Sequence, residues 1–331
     1  MTEQRKNYKK GLLFGICVGI AWGLDGVLMG RVGLHPIFTD LNYALLLGIS
    51  KLSFEFSPLV TAFLHESFCF LWVAISLLFS KQLKQVFYLL LKTKKGKATA
   101  IAALVGSPIG MSAYLLGIKY ASAPYASSIS VIYPGISALL SYLILKEKLS
   151  KQAVLGIAIS LLGSFILGFN PTSDVPATFI KGVGFAALAV LGWALEGVMI
   201  GYAMKHIHDE DHIEATPQQL LCLRYFVAML TYAIVVVPVI QGYPMLGHIA
   251  SQGMIVQYAL IAILGAFTYL SWYKAVDLIG AAMGTALNST AALWTIVFSA
   301  ILFHAHVSAS LFFWGLVIVS GVFIFAMGKK E

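Results

Sequence analysis

Long apolar runs alternate with short polar segments along the whole chain of 331 residues. About 20 apolar residues in a helix cross the hydrocarbon core of a bilayer. On that measure the pattern predicts ten membrane-spanning helices, at 11–31, 58–79, 98–118, 124–145, 152–169, 181–204, 216–240, 254–275, 280–303 and 309–328. Glycine and proline interrupt the fourth span at 134–135 and the ninth at Gly280 and Gly284, so we expect both to bend.

The composition excludes an ordinary soluble domain. Hydrophobic residues make up 59% of the chain and charged residues 11%, with a mean hydropathy of +0.87. Soluble domains carry about 25% charged residues. The net charge of +8 does not indicate nucleic-acid binding, because the basic residues lie in the loops between apolar runs. The three cysteines lie within apolar runs and predict neither a disulfide framework nor a zinc site.

Lysine and arginine are distributed unequally between the two sets of loops. Of 22 such residues, 17 lie in the termini and loops of one side and four in those of the other, with Arg224 inside a span. Cytoplasmic loops are enriched in positive charge. We therefore predict a multi-pass membrane protein with both termini in the cytoplasm.

An internal repeat relates the two halves. Trp22-Gly-Leu-Asp25-Gly returns as Trp193-Ala-Leu-Glu196-Gly, and Pro58 and Pro217 each open a following span. Each half has five spans, an odd number, so the second copy must be inverted in the membrane. The sequence thus predicts an all-α fold of two inverted five-helix repeats, at 11–169 and 181–328. The first copy has an additional outside segment at about 34–57, which is either a short surface helix, a lid or a tolerated loop insertion.

The repeated acids are the first candidate site residues. A carboxylate exposed to lipid is costly, so Asp25 and Glu196 should face a cavity or a partner. Each acid lies three positions after a tryptophan, Trp22 or Trp193. On a helix this spacing places the acid and its tryptophan on one face. Each acid is either a counter-charge for a cationic substrate, a proton carrier, or a structural partner of His65 or Arg224.

His65 and Glu66 are adjacent on the second span. The second histidine of an HExxH motif is absent, so no metal site is predicted. This pair is either a proton relay with hydrogen-bonding capacity or a polar contact between helices. Aligning the halves on Pro58 and Pro217 places His65 opposite Arg224, whose buried charge needs Glu196 or Glu66 as a partner.

Aromatic residues within the spans complete the candidate site. Aromatic faces bind cations, at up to about 2 kcal/mol for each desolvated contact. We expect Trp22, Tyr133, Trp193, Trp272 and Tyr273 to line a cavity, with Asn288 as a polar ligand. Packing or a place in an interfacial belt is the alternative for any one aromatic, including Tyr114 and Tyr269.

The chain resembles the drug/metabolite transporter superfamily, specifically its EamA-type ten-span members. The resemblance covers nearly the whole chain and is carried by Ala21-Trp-Gly, by Tyr133-Pro-Gly, by Leu145-Lys-Glu-Lys-Leu-Ser and by the duplicated halves. Within that superfamily the chain is most similar to bacterial choline permeases, in the stretches 106–111, 119–120, 126–134 and 193–196.

That resemblance implies choline or a related quaternary amine in an aromatic cage between the halves. Trp22, Tyr133, Trp193, Glu196 and Tyr273 match the expected cavity positions. Asp25, the outside segment and Ala291 depart from the pattern, and an additional acid would suit a different cation or coupling ion.

We therefore hypothesise a secondary transporter that moves a small cation by alternating access. An exporter of amino acids, drugs or other metabolites is the alternative. An intramembrane enzyme is disfavoured, because the sequence shows no metal motif and no convincing pairing of a nucleophile with a base. A channel is disfavoured, because the acids do not form a repeated filter loop. The expected partners are the substrate and the bilayer, with no cofactor, metal or nucleic acid. A coupling proton, an exchange substrate and a homodimer stay open.

Overall fold

The computed structural model describes residues 3–145, 149–169, 175–207, 215–279 and 287–328, in which regular structure is helical throughout. Ten apolar helical segments form the bundle, and we number them α1 to α10. They are α1 Glu3–Val32, α2 Ser57–Phe79, α3 Lys94–Ala121, α4 Ala123–Ser130 with Tyr133–Leu145, α5 Lys151–Phe169, α6 Phe179–His206, α7 Pro217–Val239, α8 Ile255–Ile279, α9 Ala291–Phe303 and α10 Ala309–Met327. Within the described residues, eight are long and apolar enough to cross a membrane, and α5 and α9 are shorter.

Three of these helices are irregular. The predicted break in α4 occurs at Val131 and Ile132, which form a turn directly before Tyr133 and Pro134. A π-helical segment, Val105–Met111, interrupts α3 around Pro108, which has no N–H to donate to the helical ladder. A second, Tyr232–Val236, lies in α7, and the sequence analysis anticipated neither. The predicted bend in the ninth span falls on 280–286, outside the described residues.

Helix contacts follow a symmetric pattern. α1 packs on α8 and α9, as α6 packs on α3 and α4. α2 packs on α7, and α5 on α10. Exchanging the first five helices for the last five leaves this pattern unchanged, which is what a duplicated fold requires. The inversion of the copies and the cytoplasmic termini stay predictions.

Close approach of α1 to α9 depends on small residues. A Cβ at Gly19 would lie 2.1 Å from Thr290 Oγ1, and a Cβ at Gly23 would lie 2.6 Å from Trp294 Cβ. Glycine at helix interfaces lets the backbones approach closely in a membrane. The contact between α1 and α9 fixes the rotation of α1 about its axis, and therefore the direction in which the face with Trp22 and Asp25 is turned.

The segment between α1 and α2 forms a cap over the predicted outer end of the bundle. It contains three short helices, Pro36–Thr39, Leu41–Leu46 and Lys51–Glu55, so the predicted surface helix is present. Ile37 and Phe38 are buried in the same apolar cluster as Trp193. At the base of the cap, Lys119 Nζ donates to the carbonyls of Phe54 (2.8 Å) and Glu55 (3.0 Å). A simple loop insertion is therefore not what the structure shows.

Candidate functional site

The first acid–base pair joins α1 to α2. Asp25 Oδ1 lies 3.0 Å from His65 Nε2, and both residues are buried. His65 Nδ1 lies 3.8 Å from Cys69 Sγ, one helical turn along α2. Asp25 is therefore tied to the partner that the sequence analysis offered as one alternative, and its hydrogen bond crosses between two helices of the first half.

The second acid–base group joins α6, α7 and α2. Arg224 Nε donates to Glu196 Oε1 at 2.9 Å, and Arg224 Nη1 donates to Glu66 at 2.8 and 3.2 Å. All three side chains are buried. The sequence analysis expected Glu196 or Glu66 as the partner, and the structure shows that Arg224 binds both.

An aromatic cluster contains the two tryptophans that precede Asp25 and Glu196 in the repeat. Trp22 contacts Tyr114 with ring centroids 6.1 Å apart, Trp193 at 5.8 Å and Tyr269 at 5.9 Å. Trp193 also contacts Tyr114 at 5.3 Å and Tyr133 at 5.9 Å. These five rings, the aromatic cluster, come from α1, α3, α4, α6 and α8, so both halves contribute.

Arg224 connects the carboxylates to this cluster. Its guanidinium carbon lies 5.1 Å from the centroid of Tyr269 and 5.0 Å from that of Tyr225. Both distances are within the range of a cation–π contact. Tyr269 therefore has Arg224 on one side and Trp22 on another.

Two glycines of the π-helical region make room for the second half of the site. A Cβ at Gly106 would lie 1.8 Å from Glu196 Oε2, and a Cβ at Gly110 would lie 2.9 Å from Trp193 Cδ1. No side chain fits at the first of these positions unless Glu196 moves. The irregular part of α3 thus accommodates the tryptophan and acid of the second repeat.

Buried acidic side chains outnumber buried basic ones among the described residues, at three to two. With three carboxylates ionised, Arg224 neutralises one and a protonated His65 a second, which leaves one negative charge among the charged residues described as buried. A buried, uncompensated charge is costly.

The structure brings together most of the predicted site residues. These are Trp22, Asp25, His65, Glu66, Tyr133, Trp193 and Glu196. Asn288 Nδ2 donates to Tyr133 Oη at 3.4 Å. Trp272 lies on α8 one turn beyond Tyr269 and is partly exposed. The side chain of Tyr273 lies outside the described residues.

Sequence reasoning missed Tyr225 and did not place Arg224 among the ligands. Tyr225 follows Arg224 directly and looks like an ordinary apolar helix residue in the sequence. The signal that could have found both is the alignment of the halves, which sets Arg224 opposite His65 and Tyr225 opposite Glu66.

Comparisons with known proteins agree with this architecture. The sequence model of the EamA-like transporter family matches residues 9–169 and 180–327. Protein LicB of Haemophilus influenzae is 28% identical over 326 residues, which cover 97% of this chain and 99% of LicB. A protein of known crystal structure is similar in fold, with a TM-score of 0.56 and 15% identity over 96% of both chains.

Proposed function

Since the chain belongs to the EamA-like transporter family, it is a multi-pass membrane transporter, and we propose that its substrate is a small organic cation. Choline or a related quaternary amine is the favoured substrate. We place the protein in the bacterial cytoplasmic membrane, with the substrate site in the aromatic cluster between the two halves.

The observation that carries this proposal is the pairing of aromatic rings with an excess of buried acidic side chains. Trp22 and Trp193 each stand one turn from a carboxylate on the same helix. Rings supply cation–π attraction, and the carboxylates supply the counter-charge. A quaternary ammonium cannot donate N–H hydrogen bonds, so aromatic faces and carboxylates are the contacts that suit it.

Two buried polar atoms near the cluster favour a substrate that also carries a hydroxyl. Trp193 Nε1 and Asn288 Oδ1 have no hydrogen-bond partner among the described residues. The first can donate to a hydroxyl oxygen and the second can accept its proton. Buried polar atoms are usually satisfied, so these two are candidates for substrate contacts.

The cluster is closed in this structure. Ring centroids 5.8 Å apart leave no space for a cation between Trp22 and Trp193. Binding must therefore separate these rings, which lie on α1 and α6, one from each half. Rocking of one half against the other would do this, as alternating access requires.

Coupling belongs to the same proposal. The Asp25–His65 pair is the candidate proton-binding group, because histidine changes charge near neutral pH. The alternative mode of coupling is exchange of the substrate against a second cation. Uptake into proteoliposomes with and without a pH gradient distinguishes them: accumulation that is unchanged when the gradient is dissipated would exclude a coupling proton.

Purified full-length protein in proteoliposomes tests the substrate. Labelled choline should bind saturably, and tetramethylammonium should compete while neutral amino acids should not. Loss of one cation–π contact of about 2 kcal/mol corresponds to about 30-fold weaker binding, so Trp193→Leu should show that effect. Trp314→Leu is the matched control, because Trp314 lies on α10 and contacts Phe313 instead of the cluster.

Choline binding that survives the combined Trp22→Leu and Glu196→Gln substitutions would reject the proposed site. Flux measured in both directions separates import from the alternative of an exporter. Transport of neutral amino acids or drugs, with no binding of choline, would favour that alternative.

A further inference from the structure

We propose that Arg224 is an internal cation that competes with the substrate for Glu196 and Tyr269, and that Glu66 holds Arg224 beside the site when the substrate has displaced it. This inference rests on the proposed function and deepens it. It assigns Arg224 and Glu66 a role in specificity and turnover, which a purely structural ion pair would not have.

The contacts of Arg224 are those of a bound cationic ligand. Its guanidinium faces two aromatic rings, Tyr225 at 5.0 Å and Tyr269 at 5.1 Å, and its Nε binds Glu196 at 2.9 Å. A substrate ammonium in the aromatic cluster would need the same kinds of contact. Glu196 is one turn from Trp193, and Tyr269 touches Trp22, so both partners of Arg224 border the cluster.

The alternative acid does not offer the substrate an open counter-charge. Asp25 is bonded to His65 at 3.0 Å. Using Glu196 costs less rearrangement, because Arg224 has a second anchor. Its Nη1 binds both oxygens of Glu66, at 2.8 and 3.2 Å. Arg224 can therefore release Glu196 and still keep a charged partner in the low-dielectric interior.

This arrangement has a consequence for turnover. Without substrate, Arg224 stays bonded to Glu196, so the empty carrier moves with this carboxylate paired. With substrate, the cation takes that place. Exchange needs only the loaded carrier to move, whereas net uptake also needs the empty carrier to return. Arg224 should thus matter more for net uptake than for exchange.

Affinity measurements on the full chain, with choline and tetramethylammonium as probes, test this inference. Arg224→Lys keeps the charge but has a single ammonium that cannot bridge both carboxylates and stack on Tyr269. We expect this variant to bind both probes about tenfold more tightly. A through-space charge effect predicts unchanged affinity, and a purely structural role predicts weaker affinity, so either result would overturn the inference.

A double-mutant cycle gives the second measurement. Glu66→Gln should weaken binding about tenfold, because Arg224 then depends more on Glu196. In an Arg224→Gln background the same change should have little effect, since the competitor is gone. Equal weakening in both backgrounds would show that Glu66 acts through its charge alone and would overturn the inference.

Transport separates the roles further, and a control guards against misfolding. Arg224→Lys should retain exchange while net uptake falls at least tenfold; equal losses of both would count against an internal cation. Arg31→Gln is the matched control, because Arg31 lies at the end of α1 and faces Phe303.

If wild-type protein binds neither probe, the proposed function fails and this inference fails with it. If wild-type protein binds both probes and Arg224→Lys does not bind them more tightly, only the inference fails.

Discussion

The two halves carry the same acid–base contact with a different base. Asp25 of α1 binds His65 of α2 at 3.0 Å, and Glu196 of α6 binds Arg224 of α7 at 2.9 Å. Arginine keeps its charge at all physiological pH values, whereas histidine gains and loses a proton near neutrality. Duplication thus supplied two equivalent positions, and substitution of the base gave one pair a permanently charged guanidinium and the other an imidazole, which is able to bind or release a proton.

The surroundings of the two bases reinforce this difference. Glu66 gives Arg224 a second carboxylate, and the matching position in the other half is Tyr225. His65 instead has the thiol of Cys69 nearby. The second base therefore holds two negative charges and the first holds one, so loss of the second should cost more.

The largest expected effect tests the permanence of the second pair. Arg224→His would leave Glu66 and Glu196 without a fixed counter-charge, and breaking a buried ion pair costs about 3–5 kcal/mol. Thermal unfolding in detergent without substrate should show a large loss of stability. Arg31→His is the control and should unfold as wild type does. Equal stability of Arg224→His would mean that a titratable base serves both halves equally well.

The next largest effect is expected when the space around the two acid–base pairs is filled. Gly106→Ala would push a Cβ into the Glu196 carboxylate, and Gly265→Ala would place one 2.8 Å from His65 Nε2. Overpacking costs about 1–3 kcal/mol, and Gly106→Ala should lie at the upper end because the contact is closer. Gly184→Ala is the control, because nothing lies within 4 Å of its Cβ position. Unfolding and choline binding measure both; a tolerated Gly106→Ala would show that Glu196 has room to move.

The prediction of fold and site from sequence succeeded where one residue type decides the outcome. Apolar runs gave the helices, and the repeat of Trp22 and Asp25 in Trp193 and Glu196 picked out residues that contact one another or a buried base across helices. It failed where the outcome depends on packing between distant helices. The π-helical turns of α3 fit Glu196, and the double engagement of Arg224 depends on how α2, α6 and α7 meet. Neither is encoded in local periodicity.

The third effect concerns the titratable pair. His65→Gln keeps a hydrogen-bond donor for Asp25 but cannot change its charge. If the Asp25–His65 pair binds the coupling proton, wild-type uptake should change with pH, by up to about tenfold per pH unit, and the variant should lose that dependence. His248→Gln should retain it, because His248 lies between α7 and α8 and bonds to the carbonyl of Leu47 in the cap. A pH profile that persists in His65→Gln would place the titrating group elsewhere.

The smallest effect comes from an exposed pair that calibrates the buried ones. Lys181 Nζ donates to Glu55 Oε1 at 2.6 Å, Tyr120 donates to the same oxygen, and both ion-pair side chains are nearly half exposed. The hydrogen bonds from Lys181 and Tyr120 lower the pKa of Glu55 below its ordinary value of 4.5. The contribution of Glu55 to stability is therefore present above pH 4.5 and is lost as the pH falls through its lowered pKa.

Because exposed pairs contribute about 0–1 kcal/mol and are screened by salt, Glu55→Gln should lower the unfolding temperature slightly at pH 7 and not at all in 1 M salt. The loss in Arg224→His should persist at that salt concentration, since burial shields its contacts from ions; a loss that salt abolishes in both variants would remove the distinction between the buried and exposed pairs.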